Sequence, residues 1–287
     1  GGNVYGRILH ESEQPPAPTL KIDVGSVQLV SGMGNLEDID VFANGKYFIT
    51  RWASDGSANA QGFQIADPGF QQITATEVLN NYTELWQQFG TSVLISNDQM
   101  LSTWDGSRDE NGMPITPAQI TNSSGEILVD DFAMSESLGG QKEPLFINGH
   151  LYLASSTGGN VLLSIYDSEQ DFALQSTQAI NAESDYLQSE PDIARLNDSH
   201  IVFAWQSNND PGFVTTTGAH SVKGDSDIRF VLYDLDTGAK SAAFVIAQTG
   251  DVGLKEPQVA ALGEGRFIMS WSETTYNNDS AATHFAQ

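Results

Sequence analysis

The chain has 287 residues, enough for one large or two small domains, and no apolar stretch approaching the roughly 18 residues of a membrane helix. Thirty-seven acidic residues against twelve basic ones give a formal charge of -25, which repels nucleic-acid phosphates and anionic membranes and draws in cations. Cysteine is absent, which excludes disulfides, thiol catalysis and thiolate metal sites and accords with a bacterial secreted protein.

The chain opens on Gly1-Gly2 with neither Met nor a signal sequence, so we expect a mature piece or fragment. In chain order, Asn3 to Leu9 and Leu20 to Val30 read as strands, with Pro15-Pro16-Ala17-Pro18 in a turn between them. A repeating unit follows. From Glu37 to Trp52 a polar start leads through Asn44-Gly45 to Tyr47, Phe48 and Ile49. A weaker copy ends at Trp104, with Phe89 in the Glu slot, Val93 to Ile95, the Asn97-Asp98 turn and Met100-Leu101. The third opens at Glu143-Pro144, turns at Asn148-Gly149, is shorter, and has Ser155 in the Trp slot. Glu190 to Trp205, turning at Asn197-Asp198, and Glu256 to Trp271 keep the spacing of the first copy.

Two further strands fit behind each of the first four pairs: 61–65 and 72–78, 115–120 and 126–132, 160–166 and 172–180, 227–233 and 242–247. Only Thr76 to Phe89 is ambiguous between a short helix and an irregular connection. Short β-runs repeating at ~50 residues are the sign of a propeller built from four-stranded blades. The expectation is one all-β propeller domain over 1–287, with five blades at about 31–80, 81–135, 136–185, 186–250, and 251–287 plus 1–30. In the last blade the N-terminal strands supply the outer pair, which would leave no open edge.

These units resemble repeats of large secreted bacterial surface and repeats-in-toxin type proteins. Their consensus of Pro, a Val-Ala-x-Leu strand, Asp-Gly and a Phe-Val-Val-x-Trp strand is matched by Pro257, Val259, Ala260, Leu262, Gly265, Phe267, Ile268 and Trp271. Pro191, Ile193, Leu196, Asp198, Val202 and Trp205 match it similarly. The resemblance implies a secreted or cell-surface setting and a monomeric module of a larger chain, with an adhesin-type role toward a glycan or host surface protein.

Antiparallel geometry places each Trp near the end at which its repeat's Glu begins. Glu37, Glu143, Glu190 and Glu256 would thus ring one mouth of a central channel, with Asp38, Asp40 and Asp192 close by. Loops 53–60, 105–114, 206–225 and 272–287 open on that face, and irregular loops on a rigid scaffold are where binding concentrates. Ligand contacts are expected from Trp86, Asn208, Asn209, Asp210 and Tyr276. Asp105, Asp109 and Asn111, with Asp225 and Asp227, supply closely spaced oxygens for calcium, although Asn, Asp and Gly are also plain turn formers. Trp52, Trp104, Trp205 and Trp271 are expected to pack between blades, and the five histidines show no metal-ligand spacing.

The carboxylates read two ways. Propeller glycosidases use inner-strand acids for acid-base or nucleophilic work, so a polysaccharide hydrolase is the alternative to the adhesin. Equally, a Glu repeated from blade to blade can serve the scaffold by accepting backbone hydrogen bonds at a strand start. No Gly-x-Ser-x-Gly elbow, phosphate loop or dinucleotide fingerprint is present.

Overall fold

The computed structural model describes residues 4–6, 9–11, 20–22, 27–30, 35–54, 59–67, 73–74, 77–78, 88–105, 107–108, 114–136, 142–157, 159–181, 187–208, 226–246, 252–263, 265–275 and 282–286. The chain divides into two compact units, Gly1–Ala133 and Met134–Gln287. Among the described residues, strands dominate and the one helical element is a 3-10 turn at Ser168–Gln170.

The first unit begins with β1 (Val4–Gly6), β2 (Leu9–Glu11), β3 (Leu20–Ile22) and β4 (Val27–Val30), in which β1 pairs with β4 and β2 with β3. A four-stranded antiparallel sheet follows in chain order: β5 (Asn35–Val41), β6 (Tyr47–Ser54), β7 (Asn59–Ala66) and β8 (Glu77–Val78). The β5–β6 turn is set by Gly45 at φ 81° and by Asn44, whose Oδ1 accepts from the Lys46 N–H at 3.1 Å. The second sheet holds β9 (Gln88–Ser96), β10 (Gln99–Asp105), β11 (Ser107–Arg108), β12 (Pro114–Asn122) and β13 (Ile127–Glu136). Phe42, Phe48, Phe63 and Ile65 of the first sheet bury against Met100 and Trp104 of the second. Phe48 and Phe63 stack with centroids 5.1 Å apart.

The second unit opens with β14 (Lys142–Ile147), β15 (His150–Thr157), β16 (Asn160–Asp167) and β17 (Ala173–Ala179), again a four-stranded antiparallel sheet. The remaining strands share one sheet: β18 (Gln188–Arg195), β19 (His200–Asn208), β20 (Ser226–Asp234), β21 (Phe244–Ile246), β22 (Val252–Gly263), β23 (Arg266–Thr275) and β24 (Ala282–Ala286). β20 meets β22 through a parallel bridge at Ser226 and Gly253, reinforced by the Ser226 hydroxyl donating to the Leu254 carbonyl at 2.7 Å. The hydrophobic core of this unit joins Tyr152, Ala154 and Leu163 to Ile193, Phe203 and Trp205. Packing between successive repeats is what a repeat architecture requires, because one sheet cannot bury its own faces.

The expected strands behind each repeat form as β7 and β8, β12 and β13, β16 and β17, and β20 and β21. Five blades do not. Among the described residues there are four sheets of four or more strands, because the last two repeats are continuous through the Ser226–Gly253 bridge. The tail after Trp271, expected to be too short for regular strands, does form one. This strand, β24, pairs with β23 from Met269↔Ala286 to Glu273↔Ala282 and takes the place expected for the N-terminus.

Candidate functional site

The Glu-Pro motif builds an unusual backbone. Glu190 and Glu256 have φ of 52° and 51°, left-handed values that a non-glycine residue rarely adopts and that proline restricts further on its N-terminal side. Each sits at a bulge, where pairing jumps from Ser189 to Asp192 in β18 and from Lys255 to Gln258 in β22. A bulge re-aims side chains out of strict alternation and is common beside functional sites. Such strain costs about 1–3 kcal/mol per residue and persists only when its surroundings enforce it. Glu143, in the short third repeat, instead pairs in unbroken register with Ala154.

Hydrogen bonds link the two bulges. Glu190 Oε2 accepts from the Glu256 N–H at 2.8 Å, and Glu256 Oε2 accepts from the Ser272 hydroxyl at 3.0 Å. Asp192, 7% exposed, accepts from the Ile193 N–H and, across to β22, from the Val259 N–H. Glu190 and Asp192 therefore fix the approach of β22 to β18 by accepting backbone donors.

Glu143, Glu190 and Glu256 line one cavity of about 410 Å³, together with Trp271, Ser270 and Ser272. Its size falls within the range of small-ligand sites. Carboxylates, two hydroxyls and an aromatic side chain suit a polyol, and adjacent carboxylates can divide the roles of proton donor and base. Glu37, expected with them, lies in β5 of the other unit.

The Trp residues behave as expected of packing groups where their side chains are described. Trp104 and Trp205 are 0% and 1% exposed, and Trp205 donates from Nε1 to Gln188 Oε1 at 2.7 Å. Trp271 is half-buried beside the glutamate cavity, its Nε1 buried without a partner.

Trp86, Asn209, Asp210, Tyr276, Asp109, Asn111 and Asp225 lie outside the described residues, while Asp105 ends β10. Asp227 and Asn208 are not loop residues: both are buried, in β20 and β19, and Asn208 Oδ1 accepts from Gln206 Nε2 at 3.0 Å. Among the described residues, no group of three or more His, Asp or Glu is placed to hold a metal. The αL geometry of Glu190 and Glu256 has no signal in the Glu-Pro dipeptide itself, because Glu143 also precedes a proline and lies in unbroken register.

No protein-family model matches the chain, and no curated protein matches it in sequence. Solved structures do. An α-L-arabinofuranosidase from Podospora anserina, in complex with cellotriose, matches with TM-score 0.52 at 9% identity, over 88% of this chain and 90% of that one. The fold is a β-propeller. An α-L-arabinanase from Penicillium chrysogenum complexed with arabinobiose matches with TM-score 0.51 at 9% identity, over 86% of this chain and 76% of that one. A GH93 α-L-arabinofuranosidase from Fusarium graminearum, with arabinobiose, matches with TM-score 0.51 at 10% identity, over 86% and 79%. Likeness at such identities carries the fold alone. The adhesin expectation is overturned: the matched structures named above are two arabinofuranosidases and an arabinanase rather than adhesins, and Asn208, the one described member of its binding set, is a buried strand residue.

Proposed function

We propose that this propeller is a carbohydrate-active hydrolase that cleaves a polysaccharide with carboxylates of the Glu143–Glu190–Glu256 cavity. The supporting observation is that cavity: three glutamates line it together with Trp271, and two of them stand on strained bulges. Glycoside hydrolysis needs two carboxyl groups flanking the scissile bond, one protonating the leaving oxygen and one acting as base or nucleophile. The arabinose-releasing enzymes that share the fold make arabinan and arabinoxylan the first substrates to test, with cello-oligosaccharides beside them.

A second reading rests on the bond from the Glu256 N–H to Glu190 Oε2, which makes the glutamates scaffold groups. Glutamine separates the two, because its amide oxygen still accepts that hydrogen bond but cannot act as acid or nucleophile. Reducing-sugar release should be measured for wild type and for Glu143→Gln, Glu190→Gln and Glu256→Gln, each checked for a native melt. The hydrolase reading expects at least one variant to lose 100-fold or more, on the order of a general acid-base contribution. Full turnover in all three, or no release from any substrate by folded wild type, would overturn it and leave the scaffold role.

A further inference from the structure

Two hydrogen bonds of the glutamate cavity converge on Glu256. From β18, Glu190 Oε2 accepts the Glu256 N–H at 2.8 Å, and from β23 the Ser272 hydroxyl donates to Glu256 Oε2 at 3.0 Å. One bond fixes the main chain and the other the carboxylate, at a residue whose φ of 51° lies in the left-handed region. Pro257 is buried and pairing resumes only at Gln258, so the bulge takes Glu256 out of strict strand alternation. Glu256 is itself exposed and lines the cavity with Trp271 and Ser272, where a ligand can reach it.

The two repeats put one motif to different uses. Glu190 has the same strained φ, 52°, but its Oε2 meets a main-chain donor of the next repeat and so holds β22 in place. The Glu256 carboxylate instead meets a side-chain hydroxyl on its own hairpin. Reacting groups must be held close to productive geometry, since a misplacement of about 1 Å can cost on the order of 100-fold in rate. Backbone strain enforced by neighbours is a common means of doing so. On the basis of the hydrolase reading, we propose that Glu256 is the catalytic base of the cavity and that Glu190 and Ser272 position it. Glu256 already sits there as a hydrogen-bond acceptor, as a base must. It takes a proton from water as the water oxygen bonds to the anomeric carbon. The glycosidic C–O bond breaks with its electron pair on the leaving oxygen, which takes a proton from Glu143, the remaining glutamate of the lining.

Steady-state kinetics on whichever polysaccharide wild type cleaves, with every variant checked for a native melt, separate the base from its supports. Glu256→Gln should lose about 100-fold or more in kcat. Glu190→Ala should lose about tenfold in kcat with little change in KM, because the Glu256 backbone is released. Glu190→Gln, whose amide oxygen still accepts the Glu256 N–H, should recover most of that loss. Ser272→Ala should likewise lower kcat, and Ser272→Thr, which keeps the hydroxyl, should restore it. If Glu190→Ala does not fold, Glu190→Gln against Glu256→Gln decides. Glu190→Gln as inactive as Glu256→Gln, full turnover by Glu256→Gln, or unchanged kcat in Ser272→Ala would overturn this assignment while leaving an active hydrolase. Failure of folded wild type to cleave any polysaccharide would overturn the hydrolase reading and the assignment together.

Discussion

Trp205 and Trp271 occupy the same slot in successive repeats but differ in how the indole N–H is met. Gln188 accepts from Trp205, whereas the matching position before Trp271 is Leu254, which has no acceptor. Gln188 is 2% exposed, so water cannot replace it. Gln188→Leu should therefore lower stability by about 1–3 kcal/mol, the cost of a buried donor left unmet. A urea midpoint unchanged from wild type would count against that bond. Asp234 gives a pH-dependent case. Its carboxyl is held below the usual value chiefly by the Thr237 backbone N–H, then by the Thr237 side chain, with the Asp236 N–H and the His200 charge adding and desolvation opposing. A depressed folded pKa stabilises the fold above the unfolded value and loses that contribution as pH falls through the folded one. The melting temperature of wild type should accordingly exceed that of Asp234→Asn above the ordinary carboxylate pKa of about 3.9, and the gap should close as pH falls below it. A gap that stays constant with pH would show that the turn bonds of Asp234, not its charge, matter.

Turns carry the corresponding argument at the scale of elements. Gly125, in the β12–β13 turn, has φ 89°, and a Cβ there would come within 2.8 Å of Thr74 Cγ2. Gly265, before β23, has φ 72° and open space around it. Both Ala variants meet left-handed strain, but only Gly125→Ala also meets a side chain. It should lose about 1–2 kcal/mol more than Gly265→Ala. Equal losses would mean that Thr74 gives way freely. The β-hairpins themselves were legible because apolar runs, a turn dipeptide and a closing Trp encode local pairing. Local pairing is also why the strands behind each hairpin, such as β16 and β20, were placed well. What closes the last repeat was not legible. The Pro-rich N-terminus and the polar tail both show weak alternation, and only the β23–β24 ladder decides between them. Nor could one repeat reveal that Glu190 accepts from Glu256, since that bond depends on how β18 approaches β22.

For the molecule as a whole, the excess of acidic residues sets two effects against each other. A net charge of -25 repels itself in the compact state, so added salt of any kind should raise the melting temperature by screening. Calcium held by oxygens of Asp105, Asp109 and Asn111 would act differently, binding the native state alone and stabilising it in proportion to the logarithm of its concentration. We propose the second effect in addition to the first, and matched ionic strength separates them. Melts in sodium chloride and in millimolar calcium chloride, adjusted to equal ionic strength, should differ by several degrees if a loop site fills. A chelator should then return the calcium sample to the sodium curve. Coincident curves would assign the whole salt response to screening. Magnesium is the further control, because it prefers near-octahedral geometry and keeps its waters, so a loop that holds calcium through carboxylates and carbonyls should respond to it weakly.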